Sequence, residues 1–164
     1  RIAGLVKDGE VIINMFGGVG MFSLLAAKDT ACTVYNIDLN PVAAQLCKEN
    51  AQINKLKGEV ISLNGDATKV IDEQLSGKAD RVLMLLPERS DEFLDSALNG
   101  LKNKGIIHYY SHMHADKKQD APKLSEEHFM SVNKTNAEII TSRNVRPVGP
   151  RFYQTVVDVK ISKN

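Results

Sequence analysis

The 164-residue chain has no tryptophan, only two cysteines, and no apolar run near the ~18 residues needed to cross a bilayer. Each absence removes a class of protein. Two isolated thiols, Cys32 and Cys47, cannot build a disulfide scaffold and lack the spacing of a zinc site, so they read as small buried side chains in a reducing compartment. No secretory signal is visible, and a cytoplasmic protein without membrane contact is the expectation. Charge of one sign is missing too: 21 Lys and Arg against 20 Asp and Glu leave a formal net charge of +1. No global field attracts nucleic acid, so such a partner would have to be met by a local patch. What is present is ordinary, with 43% hydrophobic and 25% charged residues. That composition fits one domain that buries its core without disulfides or metals. The chain opens at Arg1 without a methionine, and "RIAGLV" reads as the continuation of something longer.

Apolar runs alternate with helical patterns. "EVIINMF", "CTVYNID", "EVISLNG", "ADRVLMLLP" and "GIIHYYS" read as five strands. "GMFSLLAAK", "NPVAAQLCKENAQINKL", "ATKVIDEQL" and "SDEFLDSALNGL" read as helices between them. The second of these helices has Asn40 as N-cap and Pro41 at its first position. That rhythm predicts βαβ units and a parallel sheet covered on both faces. After Ser111 the pattern changes. "HMHADKKQDAPK" reads as a surface loop, and "LSEEHFMSVNKTN" as a helix with Ser125 as a possible cap. "AEIITSRNVRPVG" and "RFYQTVVDVKIS" read as a hairpin on the sheet edge. The predicted architecture is α/β: a Rossmann-like, mostly parallel seven-stranded sheet with a C-terminal antiparallel hairpin, the outline of a class I methyltransferase domain.

The first strand hands over to the first helix through Gly17, Gly18 and Gly20. In an open parallel sheet, ligands bind beyond the carboxyl ends of the strands where strand order reverses, and bare backbone there lets a ligand approach. Asp38 ends the second strand, where a carboxylate suits a ribose diol. Asp66 ends the third, where it could meet an adenine amino group. Either one alone is equally a turn or N-cap residue; both together, in register with the glycine turn, describe a nucleoside pocket. A dinucleotide fingerprint needs G-x-G-x-x-G, and Gly18-Val19-Gly20-Met21-Phe22-Ser23 lacks the third glycine. S-adenosylmethionine therefore fits better than a nicotinamide dinucleotide.

"INMFGGVGMFS", "YNIDLNP", "NGDAT", "DRVLMLLPE" and "GIIHYYSH" follow one another in an order and spacing that resemble the catalytic domain of the archaeal and eukaryotic tRNA (guanine-37-N1)-methyltransferases. The wybutosine enzymes that transfer the aminocarboxypropyl group of the same cofactor look similar. The resemblance covers essentially the whole chain and implies a longer protein with N-terminal tRNA-binding domains. It implies S-adenosylmethionine as cofactor, the anticodon loop of tRNA as partner, and methyl transfer to N1 of guanine 37. On the matching positions it implies cofactor contacts from Asn14, Phe16, Gly17, Gly18, Val19, Gly20, Phe22, Asp38, Leu39, Asp66, Ala67 and Leu85. Two positions depart from the family pattern. Asn14 stands where an Asp is usual, and Leu85-Leu86-Pro87 replaces Asn-Leu-Pro. Leucine can neither donate nor accept a hydrogen bond, so Leu85 leaves open methylation, aminocarboxypropyl transfer, or an inactive binding module. Pro87, which the aminocarboxypropyl relatives usually lose, favours methylation.

Guanine N1 carries a proton, so methylation there needs a base. The resemblance implies a Glu just upstream, in a short motif that Arg1 would close. Glu88, directly after Pro87, is the local substitute, unless it is only an exposed charge opening the next helix. Tyr109 could stack on a nucleobase or sit in the core. Arg146 and Arg151, in a late basic cluster with Lys117, Lys118, Lys123 and Arg143, could contact phosphate or simply face solvent. His112-x-His114 beside His108 has no Cys or carboxylate at useful spacing, so no metal is expected. A monomer is expected.

Overall fold

The computed structural model describes residues 1–163. A short 3-10 turn, Ile2–Leu5, precedes β1 (Val11–Asn14), α1 (Met21–Lys28), β2 (Thr33–Asp38), α2 (Pro41–Ile53) and β3 (Glu59–Asn64). Then come α3 (Ala67–Val70) with a π-helical turn (Ile71–Leu75), β4 (Ala79–Met84), α4 (Ser90–Gly100) and β5 (Leu101–His114). Helix α5 (Ala121–Val132) and the hairpin β6 (Asn136–Gly149) and β7 (Phe152–Ser162) complete the chain.

The seven strands lie in the order β3-β2-β1-β4-β5-β7-β6. Strands β1 to β5 are parallel, and β7 runs antiparallel to both β5 and β6. The chain moves outward from β1 to β3, then crosses back to place β4 on the other side of β1. The crevice at the carboxyl ends of β1 and β4 is therefore the topological switch point.

Alternation along the central strands divides the core. Ile13, Val82 and Met84 pack on one face with Leu94 of α4 and Phe129 of α5. Ile12 and Leu83 pack on the other with Ala26 and Ala27 of α1. Both faces of β1 and β4 are thus dry, which is why these strands read as unbroken apolar runs. Helix α2 starts as its sequence predicts: the Asn40 side chain accepts from the Val42 N–H at 3.0 Å, and Pro41 follows at the first position.

The structure corrects several boundaries. The fourth strand stops at Met84, and Leu85–Pro87 form the exit loop. The presumed loop from His112 begins three residues later, because β5 continues to His114 in antiparallel register with β7, where His112 faces Gln154 and His114 faces Phe152. A partner strand supplies the hydrogen bonds that the polar side chains gave no hint of. Helix α5 begins at Ala121 with Pro122 in its first turn, so Ser125 is no cap. It is fully buried, with its hydroxyl 2.7 Å from that of Ser111 and 3.0 Å from that of Thr155. Among the described residues, no helix is long and apolar enough to cross a membrane.

A nucleoside-shaped cavity at the switch point

The glycine turn owes its bareness to three separate constraints. A Cβ on Gly17 would lie 2.0 Å from Asn36 Oδ1 on β2, so the turn is pressed against that strand. Gly20 sits at φ +90°, and its Cβ would come 2.6 Å from Cys47 Sγ on α2. Gly18 has open space around it but a φ of +53°, which favours glycine. The turn's own packing therefore requires the glycines. The outcome is a Gly18 N–H that donates to Asp38 Oδ2 at 2.7 Å.

Asp38 accepts a second backbone bond, from the Asn40 N–H at 2.9 Å. Asp66 caps α3, accepting the Lys69 N–H at 3.2 Å. Both carboxylates thus do serve as turn and cap residues. They also line the same cavity of about 270 Å³, together with Phe16, Leu39 and Ala67. A carboxylate offers about four lone-pair sites, so each keeps acceptor capacity for a ligand. Sequence reasoning missed five further residues lining this cavity: Met15, Gly65, Leu86, Arg89 and Phe93. Phe93 meets Phe16 edge to face at 4.8 Å, and the Arg89 guanidinium lies 5.1 Å over its ring. An aromatic wall facing two carboxylates suits a flat base attached to a diol.

Asn14 does not reach this cavity. It is fully buried beneath the turn, donating to Ser23 Oγ at 3.1 Å and to Asn36 Oδ1 at 3.4 Å. Its own Oδ1 is buried without a partner, an arrangement that costs about 1–3 kcal/mol unless something donates to it. Val19 is exposed, and its carbonyl accepts from Asn50 Nδ2.

Leu85 and Phe22 fall outside the nucleoside cavity. Consecutive residues leave the end of β4 towards opposite faces, so Leu86 lines the Asp38–Asp66 cavity while Leu85 lines another, of about 320 Å³. There it meets Arg1, Ile2, Phe22, Tyr110, Arg143, Val145 and Gln154. Pro87 and Glu88 open onto a third cleft, of about 540 Å³, with Asp91, Tyr109, His112, His128 and Phe152. Tyr109 borders that cleft but is 1% exposed. Its ring stands edge to face with Phe129 at 5.2 Å, and its hydroxyl donates to Asp91. Burial, and then the neighbouring carboxylate, push its phenol far above the usual range.

The two late arginines differ in setting. Arg151 takes φ +57° in the β6–β7 turn and pairs with Asp116 at 2.9 Å, both side chains more than half exposed. Arg146 donates through Nε to Gln154 Oε1 at 2.9 Å. Among the described residues, no group of three or more His, Cys, Asp or Glu side chains could hold a metal ion.

A buried polar ladder, invisible in the sequence pattern, crosses the sheet. Glu10 accepts from Arg81 at 3.0 and 3.1 Å. Arg81 Nη1 donates to His108 Nε2 at 2.7 Å, and Asp158 Oδ1 lies 2.6 Å from His108 Nδ1. Asp158 Oδ2 accepts from Arg1. An arginine can only donate, so Nε2 must accept and Nδ1 must carry the proton. Burial holds the His108 imidazole neutral, below the usual histidine range. Burial alone would raise the Asp158 carboxyl, but the bonds from His108 and Arg1 win and hold it below the usual value.

The sheet order, the switch-point cavity and the terminal hairpin define a Rossmann-like methyltransferase domain. Residues 1–140 match the family described as the TRM5/TYW2 methyltransferase domain, and the chain belongs to that family. It is 40% identical over 161 residues to tRNA 4-demethylwyosine(37)-methyltransferase Taw21 of Saccharolobus solfataricus, covering 98% of this chain and 58% of that protein. It is 37% identical over 164 residues to tRNA (guanine(37)-N(1))-methyltransferase Trm5b of Methanocaldococcus jannaschii, covering 99% of this chain and 44% of that one. The crystal structure of M. jannaschii TYW2 in complex with AdoMet superposes with a TM-score of 0.82 at 28% identity, covering all of this chain and 74% of that chain. The chain spans about half the length of the curated relatives it matches.

Proposed function

We propose that the intact protein is a cytoplasmic, S-adenosylmethionine-dependent tRNA methyltransferase acting on N1 of guanine 37, beside the anticodon. The observation that carries this reading is that Asp38 and Asp66 line one cavity at the switch point, with the Gly18 N–H of the glycine turn donating to the Asp38 carboxylate. The family gives that cavity its cofactor class. The residues fit the group: Asp38 would hold the ribose hydroxyls, Asp66 the adenine amino group, and Phe16 and Phe93 the base faces. When bound, the cofactor supplies an electrophilic methyl group on a sulfonium.

The chain's own residues do the rest by placement. Holding nucleophile and methyl at ~3–3.5 Å in line accounts for most of such a rate enhancement. Leu86 and Arg89 line the cofactor cavity, and Pro87 gives the exit loop a fixed backbone angle next to it. Glu88 opens on a solvent-exposed cleft shared with other titratable side chains, among them Asp91, Glu92, His112 and His128. It is a poorer base than the upstream Glu that the family pattern implies. Both named relatives above, at 40% and 37% identity, are methyltransferases acting at position 37, which favours methyl over aminocarboxypropyl transfer.

The test is nucleoside mass spectrometry. The intact protein is incubated with S-adenosylmethionine and a tRNA transcript carrying guanine 37, and in a parallel arm with tRNA carrying 4-demethylwyosine there. N1-methylguanosine from the first arm is the expected product. An aminocarboxypropyl adduct, methylation in the second arm alone, or cofactor binding with no product in either arm refutes the proposal.

A further inference from the structure

We infer that Arg89 is a specificity residue of the cofactor cavity, donating to a ring nitrogen of the adenine whose amino group faces Asp66. The inference rests on the S-adenosylmethionine reading above and adds a donor to a set of acceptors.

An adenine edge carries an amino donor beside acceptor ring nitrogens. An ionised carboxylate can only accept. Asp38 and Asp66 therefore suit the ribose hydroxyls and the amino group, but either would repel the lone pair of a ring nitrogen. A donor beside them completes the match, and Arg89 lines the same cavity. A guanidinium can only donate, so it complements the ring nitrogens and not the amino group.

The backbone of Arg89 is anchored. Its N–H donates to the Leu86 carbonyl at 3.1 Å, and the hydroxyl of the next residue, Ser90, lies 2.9 Å from that same carbonyl. Ser90 is buried, and its hydroxyl also reaches the Tyr110 carbonyl, which ties the turn to β5. The side chain is laid along the aromatic wall. Its guanidinium lies 5.1 Å over the Phe93 ring, Phe93 meets Phe16 edge to face, and both rings line the cavity. Nε and Nη2 donate to Glu92 Oε2 at 2.9 and 2.7 Å. Two of the five N–H donors are thus engaged, and three are left for a ligand.

Arg89 also lines the 540 Å³ cleft, where Glu92 stands. Both side chains of this ion pair are more than half exposed, so the pair is weak and yields readily to a ligand. Glu92, and more weakly Asp66, hold the guanidinium above the usual arginine range. Arg89 is therefore under the influence of carboxylates in both openings, and small side-chain movements carry its free donors to the cofactor side.

The test is calorimetry on the intact protein with S-adenosylhomocysteine and its 1-deaza and 7-deaza analogues, in each of which a C–H replaces one ring nitrogen. Wild type is expected to bind one of the two analogues about five- to tenfold more weakly than the parent. That is the low end for a charge-assisted bond, because the guanidinium is screened. Arg89→Met keeps an apolar stem over Phe93 but cannot donate. It should bind the parent more weakly by the same factor and lose nothing further with that analogue. Arg89→Lys, which keeps a donor, should recover part of the affinity for the parent. Wild-type affinity in Arg89→Met overturns the inference. So does an equal loss for all three ligands, which would make Arg89 only a prop for Phe93. A wild-type protein that binds no S-adenosylhomocysteine sinks the cofactor reading itself, whereas tight wild-type binding with an indifferent Arg89→Met sinks this role alone.

Discussion

His108 should make the fold sensitive to mild acid. Its imidazole is completely buried, with the Arg81 guanidinium 2.7 Å from Nε2 and Asp158 2.6 Å from Nδ1. Protonating Nε2 would set an N–H donor against the Arg81 donor. Burial, together with the positive charges of Arg81 and Arg1, depresses the folded-state value and outweighs the opposing pull of Asp158. The unfolded chain has no such restraint and protonates near the ordinary value of 6.5. Below that pH the unfolded state binds a proton that the folded state refuses, so stability falls as pH falls. The slope approaches about 1.4 kcal/mol per pH unit for one proton. For a domain of this size that is roughly 3–6 °C of melting temperature per unit. About a unit above pH 6.5 both states are neutral at this residue, and the contribution is fully present. Thermal melts followed by circular dichroism at pH 7.5, 6.5 and 5.5 measure it. His108→Gln keeps an amide donor and acceptor but cannot titrate, and should lower the slope between pH 6.5 and 5.5 by about three-quarters of a proton's worth, roughly 1 kcal/mol. Parallel slopes for wild type and His108→Gln would refute the reasoning, because the acid sensitivity would then come from other groups.

Two further expectations concern the cradle. Asp38→Asn removes the charge that receives the Gly18 and Asn40 N–H groups. Each charge-assisted bond contributes about 1.5–3 kcal/mol, so S-adenosylmethionine affinity by calorimetry should fall roughly 10- to 150-fold, and an unchanged dissociation constant would rule out the ribose role. Gly17→Ala drives a methyl group to within 2.0 Å of Asn36 Oδ1 and must displace a side chain that also bonds the Gly18 carbonyl at 3.2 Å. Overpacking of that kind costs about 1–3 kcal/mol, visible as a lower denaturation midpoint in urea; a wild-type midpoint would show that the turn relaxes freely.

The alternation of apolar runs with amphipathic segments was enough to order the elements, because a strand buried on both faces and a helix buried on one leave different periodicities. The second helix was legible down to its first residues, since Asn40 and Pro41 act within one turn of chain. Asp38 and Asp66 were legible as a pair because both stand at strand ends, and the parallel sheet places those ends side by side. The length of β5 was not legible. Its last residues are polar, and only the register with β7 supplies their backbone partners.

Local chemistry along the chain therefore determined the fold class, the glycine turn and the two acidic strand ends. Tertiary structure alone decided which face each neighbour of that turn would see. Leu85 and Leu86 are the same residue type one position apart, yet they line separate cavities, because side chains leaving a strand end alternate between faces. The ladder from Glu10 through Arg81, His108 and Asp158 to Arg1 spans the whole chain. Its members are charged or polar residues whose pairing no local spacing along the chain reveals. They become a single buried network only when β1, β4, β5 and β7 are brought together, since a buried charge is tolerated only where its partner is also present.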